Sequence, residues 1–193
     1  MPWMPLGWVG ASGAAPAQPI YELISTQILS TTSTGISFSS LSTYASTYKH
    51  LQLRVTVRSG TSTGAAGDMR FNNDSATNYR SHTLIGDGST VGGGDSSNSG
   101  IGGQALVDFV DFSPNTSNGW TVTVIDILDA FSTSKNKVAR QLGGRHADGV
   151  SIYQIYLRSG IWLSTAAITD ISLYPRTQSF GSGSRFSLYG VRA

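Results

Sequence analysis

The stretch HLQLRVTVRS, residues 50–59, constrains the fold more than any other part of the chain. Leu51, Leu53, Val55 and Val57 alternate there with Gln52, Arg54, Thr56 and Arg58. A period of two belongs to a β-strand, whose successive side chains leave on opposite faces. Strict alternation predicts one buried face and one wet face, the habit of antiparallel sheets. The rest of the chain must supply the partners of such a strand.

Candidate partners recur from Ile20 onward. Tyr21, Leu23 and Ile24 open one strand, and Ile36 and Phe38 a short second one. Met69 and Phe71, then Tyr79, His82, Leu84 and Ile85, suggest two more. Further strands are expected at 106–112, 120–128, 138–142, 152–157, 167–174 and 186–191. Residues 41–48 read as one helical turn. Residues 59–68 (SGTSTGAAGD) read as a loop, and 86–103 (GDGSTVGGGDSSNSGIGG) as a long glycine-rich loop of the functional or mobile kind. About ten short strands separated by turn signals, with less than one-tenth helix, predict an all-β antiparallel sandwich or barrel. The closing SRFSLYGVRA, residues 184–193, is expected to pair inside a sheet near the first strand, since chain ends often lie close together.

A chain of 193 residues is long enough for one domain with a sizeable core, or for two small ones. Charged residues make up 12% and aromatics 10%, which separates it from disordered chains, richer in charge and poorer in aromatics. The net charge of +2 rests on scattered Lys and Arg. A phosphate-tracking groove needs clustered cations, so no nucleic-acid partner is expected. With no cysteine, thiolate zinc sites and disulfide frameworks are excluded. No apolar run reaches membrane-spanning length, so no membrane partner is expected.

The chain divides into an arm, 1–19, and one sandwich domain, 20–193. The arm, MPWMPLGWVGASGAAPAQP, holds four of the six prolines and no charged side chain. Ala15-Pro16-Ala17 resembles a signal-peptide cleavage site, but a basic start is missing and Pro2 and Pro5 break the apolar stretch. Proline points to an extended segment. Trp3, Met4, Leu6, Trp8 and Val9 are the candidate partner-binding residues, because so apolar an arm would be sticky if left free. Covering a patch of its own domain is the plainer role; docking on another subunit is the sharper one.

Catalytic constellations are not apparent. A hydrolase triad needs a nucleophile beside a histidine oriented by a carboxylate, and no G-x-S-x-G elbow is present. His50, His82 and His146 read as surface or hydrogen-bonding residues. Asp126 and Asp129, three apart in a strand, fall on opposite faces, which disfavours a shared acid–base site. One of them is expected to accept turn hydrogen bonds near SKNK. Asp87 and Asp95 offer oxygen ligands but no EF-hand spacing. No phosphate-binding loop is present, and no cofactor is expected. Two glycosylation sequons, at Asn73 and Asn115, are of a kind that arises by chance in Asn- and Ser-rich chains.

Several pieces together resemble virion proteins of tailed bacteriophages. They are PLGWVGASGA, YELISTQIL, YKHLQLRVTVRS, MRFNNDSATNY, VIDILDAFSTSKNK, SGIWLSTAAITDISLYP and the closing SGSRFSLYGV, spanning most of the chain. The resemblance implies a jelly-roll-like β-sandwich without enzymatic activity, located in the virion. The implied role is a capsid cement or decoration protein that bridges major capsid subunits, as a homo-oligomer with a trimer foremost. The alternative is a tail structural or receptor-binding protein recognising host surface glycans. A free carbohydrate-binding or hydrolytic protein is a third class, and such a module has no use for the arm.

Overall fold

The computed structural model describes residues 19–96, 106–112, 118–147 and 152–192. Twelve strands and one short 3₁₀ turn, Leu41–Tyr44, make up the regular structure of these residues. One sheet has eight strands in the order β1-β12-β3-β8-β9-β10-β5-β6, and a second has four in the order β2-β11-β4-β7. The strands are β1 (Tyr21–Ile28), β2 (Ile36–Phe38), β3 (His50–Val57), β4 (Ala65–Phe71), β5 (Tyr79–Gly86) and β6 (Val91–Ser96), then β7 (Leu106–Phe112), β8 (Thr121–Leu128), β9 (Lys137–Ala147), β10 (Ile152–Trp162), β11 (Ile171–Pro175) and β12 (Arg185–Val191). All pairings are antiparallel.

Eight of these strands form a jelly roll. With β5, β6, β9 and β10 set aside, the sheets read 1-12-3-8 and 2-11-4-7. That is the eight-strand, two-Greek-key order of a jelly roll. The remaining strands are two insertions, β5–β6 between β4 and β7, and β9–β10 between β8 and β11. Both insertions join the larger sheet beyond β8 and double its width.

The core lies between the two sheets of the jelly roll. Leu51, Leu53, Val55 and Val57 point inward from β3, as their alternation requires, and all are buried. Phe186 and Leu188 of β12 join them, as do Ile125 and Ile127 of β8. Met69, Phe71, Ile171 and Leu173 face them from the smaller sheet. Each such side chain contributes roughly 1.5–3 kcal/mol by leaving water. Phe180, on the segment before β12, packs its ring 5.0 Å from that of Phe186 and bridges to the backbones of Ser33 and Ser59.

The last strand sits where it was expected. Val191 pairs with both Tyr21 of β1 and His50 of β3, so β12 is an interior strand. The motif FSLYG explains itself there. Gly190 lies beneath the ring of Tyr48, and any Cβ at 190 would overlap that ring.

Several boundaries differ from the sequence reading. Residues 65–68, expected in a loop, begin β4. The glycine-rich stretch is partly sheet: Asp87 accepts from the N–H groups of Ser89 and Thr90 and turns the chain into β6. An Asx-type turn that folds residues 91–96 back onto β5 suffices for an edge strand, despite the glycines. β9 and β10 run to eleven residues each, longer than their apolar runs suggested, because they pair with each other throughout. β11 is shorter, starting at Ile171 after an irregular stretch tied to Asn72, whose side chain binds Thr169 N–H, Asp170 N–H and the Ala167 carbonyl. On β3, Gln52 is not on a wet face: it is only 7% exposed, beneath its neighbours. Among the described residues no helix is long and apolar enough to cross a membrane.

Candidate interaction surface

β8 and the inserted strands beyond it break the patterning rule that β3 obeys. In β8, Thr121 and Thr123 point inward and are buried, whereas Val122 and Val124 point outward and are exposed. In β9, Lys137, Ala139 and Gln141 point inward, and Val138 and Leu142 outward. In β10, Tyr156 and Arg158 are buried while Ile155 and Leu157 face solvent. Leu84 of β5 is outward too. Polar groups face in and aliphatic groups face out, the reverse of a solvated sheet.

The inner side of this wing is covered by β7, which packs against β9, β10 and β5. The buried polar groups there are partly accounted for. Lys137 Nζ donates to the carbonyl oxygens of Lys135 (2.7 Å) and Thr165 (3.2 Å). Burial lowers the Lys137 pKa, with Asp129 opposing that shift. The Arg158 guanidinium lies 4.3 Å from the centre of the Tyr156 ring, a cation–π contact. Gly143 opposes Tyr156 across the strands and makes room for its ring.

On the outer side the register aligns the exposed aliphatic residues into rows that cross the sheet. One row runs Val124, Leu142, Leu157, Leu84 over four successive strands. A second runs Val122, Gly144, Ile155, Gly86, Val91. A third pairs Leu128 with Val138 and Val138 with Ile161. At the usual strand spacing of about 4.8 Å, the first row alone is some 14 Å long. Glycines at 144 and 86 leave recesses between branched side chains in the second row; at Gly86 a Cβ would meet nothing within 4 Å.

Between the first and third aliphatic rows runs a polar one: Tyr189, Gln52, Asp126, Arg140, Ser159, His82. Gln52 Nε2 donates to Asp126 Oδ1 at 2.8 Å, and Arg140 donates to Asp126 Oδ2 at 3.1 Å. Arg54 Nε donates to Gln52 Oε1 at 2.9 Å, and its guanidinium lies 4.5 Å from the Tyr189 ring centre. A cavity of about 490 Å³ sits on this row, walled by Leu84, Leu128, Val138 and Leu157. On its floor the Asp126 carboxylate and the Arg140 guanidinium are bonded to each other rather than poised for a single charged ligand.

The histidines separate in space. His50 Nδ1 accepts the Asp129 N–H at 2.8 Å, with the Asp129 carboxylate 3.8 Å away. Asp129 itself, in a left-handed conformation at φ 48°, accepts from Lys135 Nζ at 2.6 Å and so closes the turn before SKNK, as read from the sequence. That bond with Lys135 holds the Asp129 carboxyl below its ordinary value. His82 is exposed on the outer face opposite Ser159. His146 stacks edge-on to Tyr153 at 4.5 Å. Among the described residues no three His, Asp or Glu side chains group as metal ligands.

A larger cavity, about 720 Å³, opens at the end of the sandwich between the 3₁₀ turn and the β8–β9 turn, lined in part by Lys49, Lys135 and Arg192. Two of its three cations are engaged: Lys135 with Asp129, and Arg192 with Glu22 at 3.0 Å. It is therefore a weaker candidate than the sheet face.

The sequence-based candidates Trp3, Met4, Leu6, Trp8 and Val9 lie outside the described residues. The outward aliphatic rows were missed, although a signal existed. In TVTVIDIL the apolar residues change parity, from Val122 and Val124 to Ile125 and Ile127. Apolar residues on both parities mean that both faces want cover. No family model, no curated protein and no solved structure matches the chain.

Proposed function

We propose that the protein is a non-enzymatic structural component of a tailed-phage particle, acting as a capsid cement that holds neighbouring major capsid subunits together. The observation that carries this reading is the outward aliphatic face of β8, β9, β10 and β5. At about 100 Å² per exposed aliphatic side chain, the face amounts to something on the order of 800 Å², the per-partner area of a standard protein–protein interface. The largest patch on an ordinary monomer is about 300–600 Å². A wide apolar sheet face suits broad protein contact better than small-molecule chemistry, which needs a pocket with converging free polar groups, whereas Asp126 and Arg140 in the cavity on this face are bonded to each other. The jelly roll supplies a rigid platform for it, and the resemblance to virion proteins supplies the setting.

In this reading the outward face serves assembly, and the uncharged arm, with Trp3 and Trp8 as anchors, is the attachment to the particle. Mass spectrometry of purified particles tests the proposal. The protein is expected as an integral component, at hundreds of copies per particle for a cement role. A few copies to a few dozen would move it to the tail, and absence from washed particles would reject the virion reading.

A further inference from the structure

The same outward face allows its occupant to be named, an inference that rests on reading this face as an interface. We propose that it is covered by a second copy of this chain, so that the protein is a homo-oligomer joined through the outer faces of its large sheets before it meets any other component.

Three observations favour a copy of itself over a different partner. The first is the inverted patterning. Lys137, Gln141 and Arg158 are buried on the inner side, while Leu142, Ile155 and Leu157 stand outside. A chain patterned this way presents a broad aliphatic surface outward in the free protomer. Faces covered from the time of folding are the apolar ones, resembling a core cut in half, whereas partners that meet later bury faces about as polar as the rest of the surface.

The second is charge. The polar row set among the aliphatic ones carries one acid and one base on neighbouring strands, Asp126 and Arg140. Two such faces brought together about an axis along the strands, between β9 and β10, set Leu142 over the partner's Leu157, Val124 over the partner's Leu84, Asp126 over the partner's His82 and Arg140 over the partner's Ser159. The face is thus complementary to itself and makes no like-charge contact, as an isologous interface requires.

The third is relief. Gly144 and Gly86 alternate with Val122, Ile155 and Val91 across one row. Ridges of branched side chains and glycine recesses on the same surface can interdigitate with a copy of that surface, as the inner faces of packed sheets do.

Light scattering on the full chain, purified without any other virion component, tests this. The expected mass is that of two or more protomers at micromolar concentration. Leu142→Glu and, separately, Leu157→Glu should reduce it to that of one protomer, with the circular dichroism spectrum unchanged because both side chains are exposed. Leu142→Ile, which keeps the face apolar, should retain the oligomer. Trp3→Ser combined with Trp8→Ser should also retain it.

A monomeric wild type would overturn the proposal, even if that monomer bound particles, in which case the virion reading would stand alone. An oligomer that survives both glutamate substitutions would also overturn it. So would an oligomer lost with the two tryptophans, since the arm and not the face would then join the copies. An oligomer abolished by either glutamate supports the proposal whether or not the protein is found in particles.

Discussion

Leu142 on β9 and Leu157 on β10 stand directly across from each other on the outward face of the large sheet, 60% and 46% exposed. Two strands away, Leu53 of β3 points to the opposite side and is fully buried. All three are leucines in antiparallel strands, yet they stand in opposite environments. Leu53 seals the two sheets of one protomer, and the other two face outward.

That difference sets the first prediction. Leu53→Ala should cost about 2–5 kcal/mol of protomer stability, the usual range for a core truncation. Leu142→Ser and Leu157→Ser, measured at concentrations low enough to keep the protein monomeric, should stay within about 0.5 kcal/mol of wild type. Urea unfolding curves followed by circular dichroism provide the comparison.

Gln52→Asp should be harmful, although alternation alone would place Gln52 in water. Its amide donates to Asp126 at 2.8 Å in a nearly closed environment. A carboxylate at 52 loses that bond and faces Asp126 as a like charge. The expected loss is about 1–3 kcal/mol at neutral pH, part of which returns in the double variant with Asp126→Asn. A double-mutant cycle in urea measures the coupling, and an additive result would show that the two side chains do not communicate.

Asp74 and Trp162 make the protein sensitive to acid. Trp162 is buried, and its indole N–H donates to Asp74 Oδ2 at 2.6 Å. Burial pushes the Asp74 carboxyl up, but bonds from Asn78, from Trp162 and from the Ala76 N–H outweigh it, and the net shift is downward. A carboxyl with a depressed folded value contributes its stability above its ordinary value near 3.8, and loses it as pH falls through the lower folded value. Unfolding free energy should therefore fall with acid below about pH 4. Asp74→Ala, which leaves the indole N–H unmet, should cost about 1–3 kcal/mol at pH 7 and flatten this part of the pH profile. Asp74→Asn keeps an acceptor and should cost less.

Glycine substitutions distinguish the two faces of the wing. At Gly143 an added Cβ would overlap the Tyr156 ring and sit 2.8 Å from Thr123 Oγ1, so Gly143→Ala should destabilise strongly. Gly190→Ala should do the same against Tyr48. Gly86→Ala meets open space and should leave the protomer's thermal midpoint within a few degrees.

Much of the jelly roll was legible in the chain because its strands are half-buried and patterned accordingly. Leu51 to Val57 announce both strand and inward face, and Phe186 and Leu188 do the same for β12. Of the inserted strands, β5, β9 and β10 were legible as strands but not as faces, and β6 lies in a stretch that reads as a loop. In KVARQLGG a lysine and a glutamine occupy the inward parity and a valine and a leucine the outward one. A rule that sends apolar groups inward reads such a strand upside down. What decides the orientation is the register with β8 and β10, a pairing between strands that no local window contains. Gln52 was misplaced for a related reason, since it is held by Asp126 on the adjacent strand as well as by Arg54 on its own.

The chain has no cysteine, so a single introduced thiol reports on one place alone. Maleimide labelling of Leu142→Cys, compared with Ser46→Cys on an exposed site in the 40–49 segment, measures directly whether the outward face is covered in the assembled protein. If copies meet through that face, the thiol at 142 reacts at least tenfold more slowly than the one at 46 in concentrated protein, and the difference vanishes on dilution to the monomer. Equal rates at high concentration, with the chain assembled by light scattering, would show that the face remains open and contradict its role as an interface.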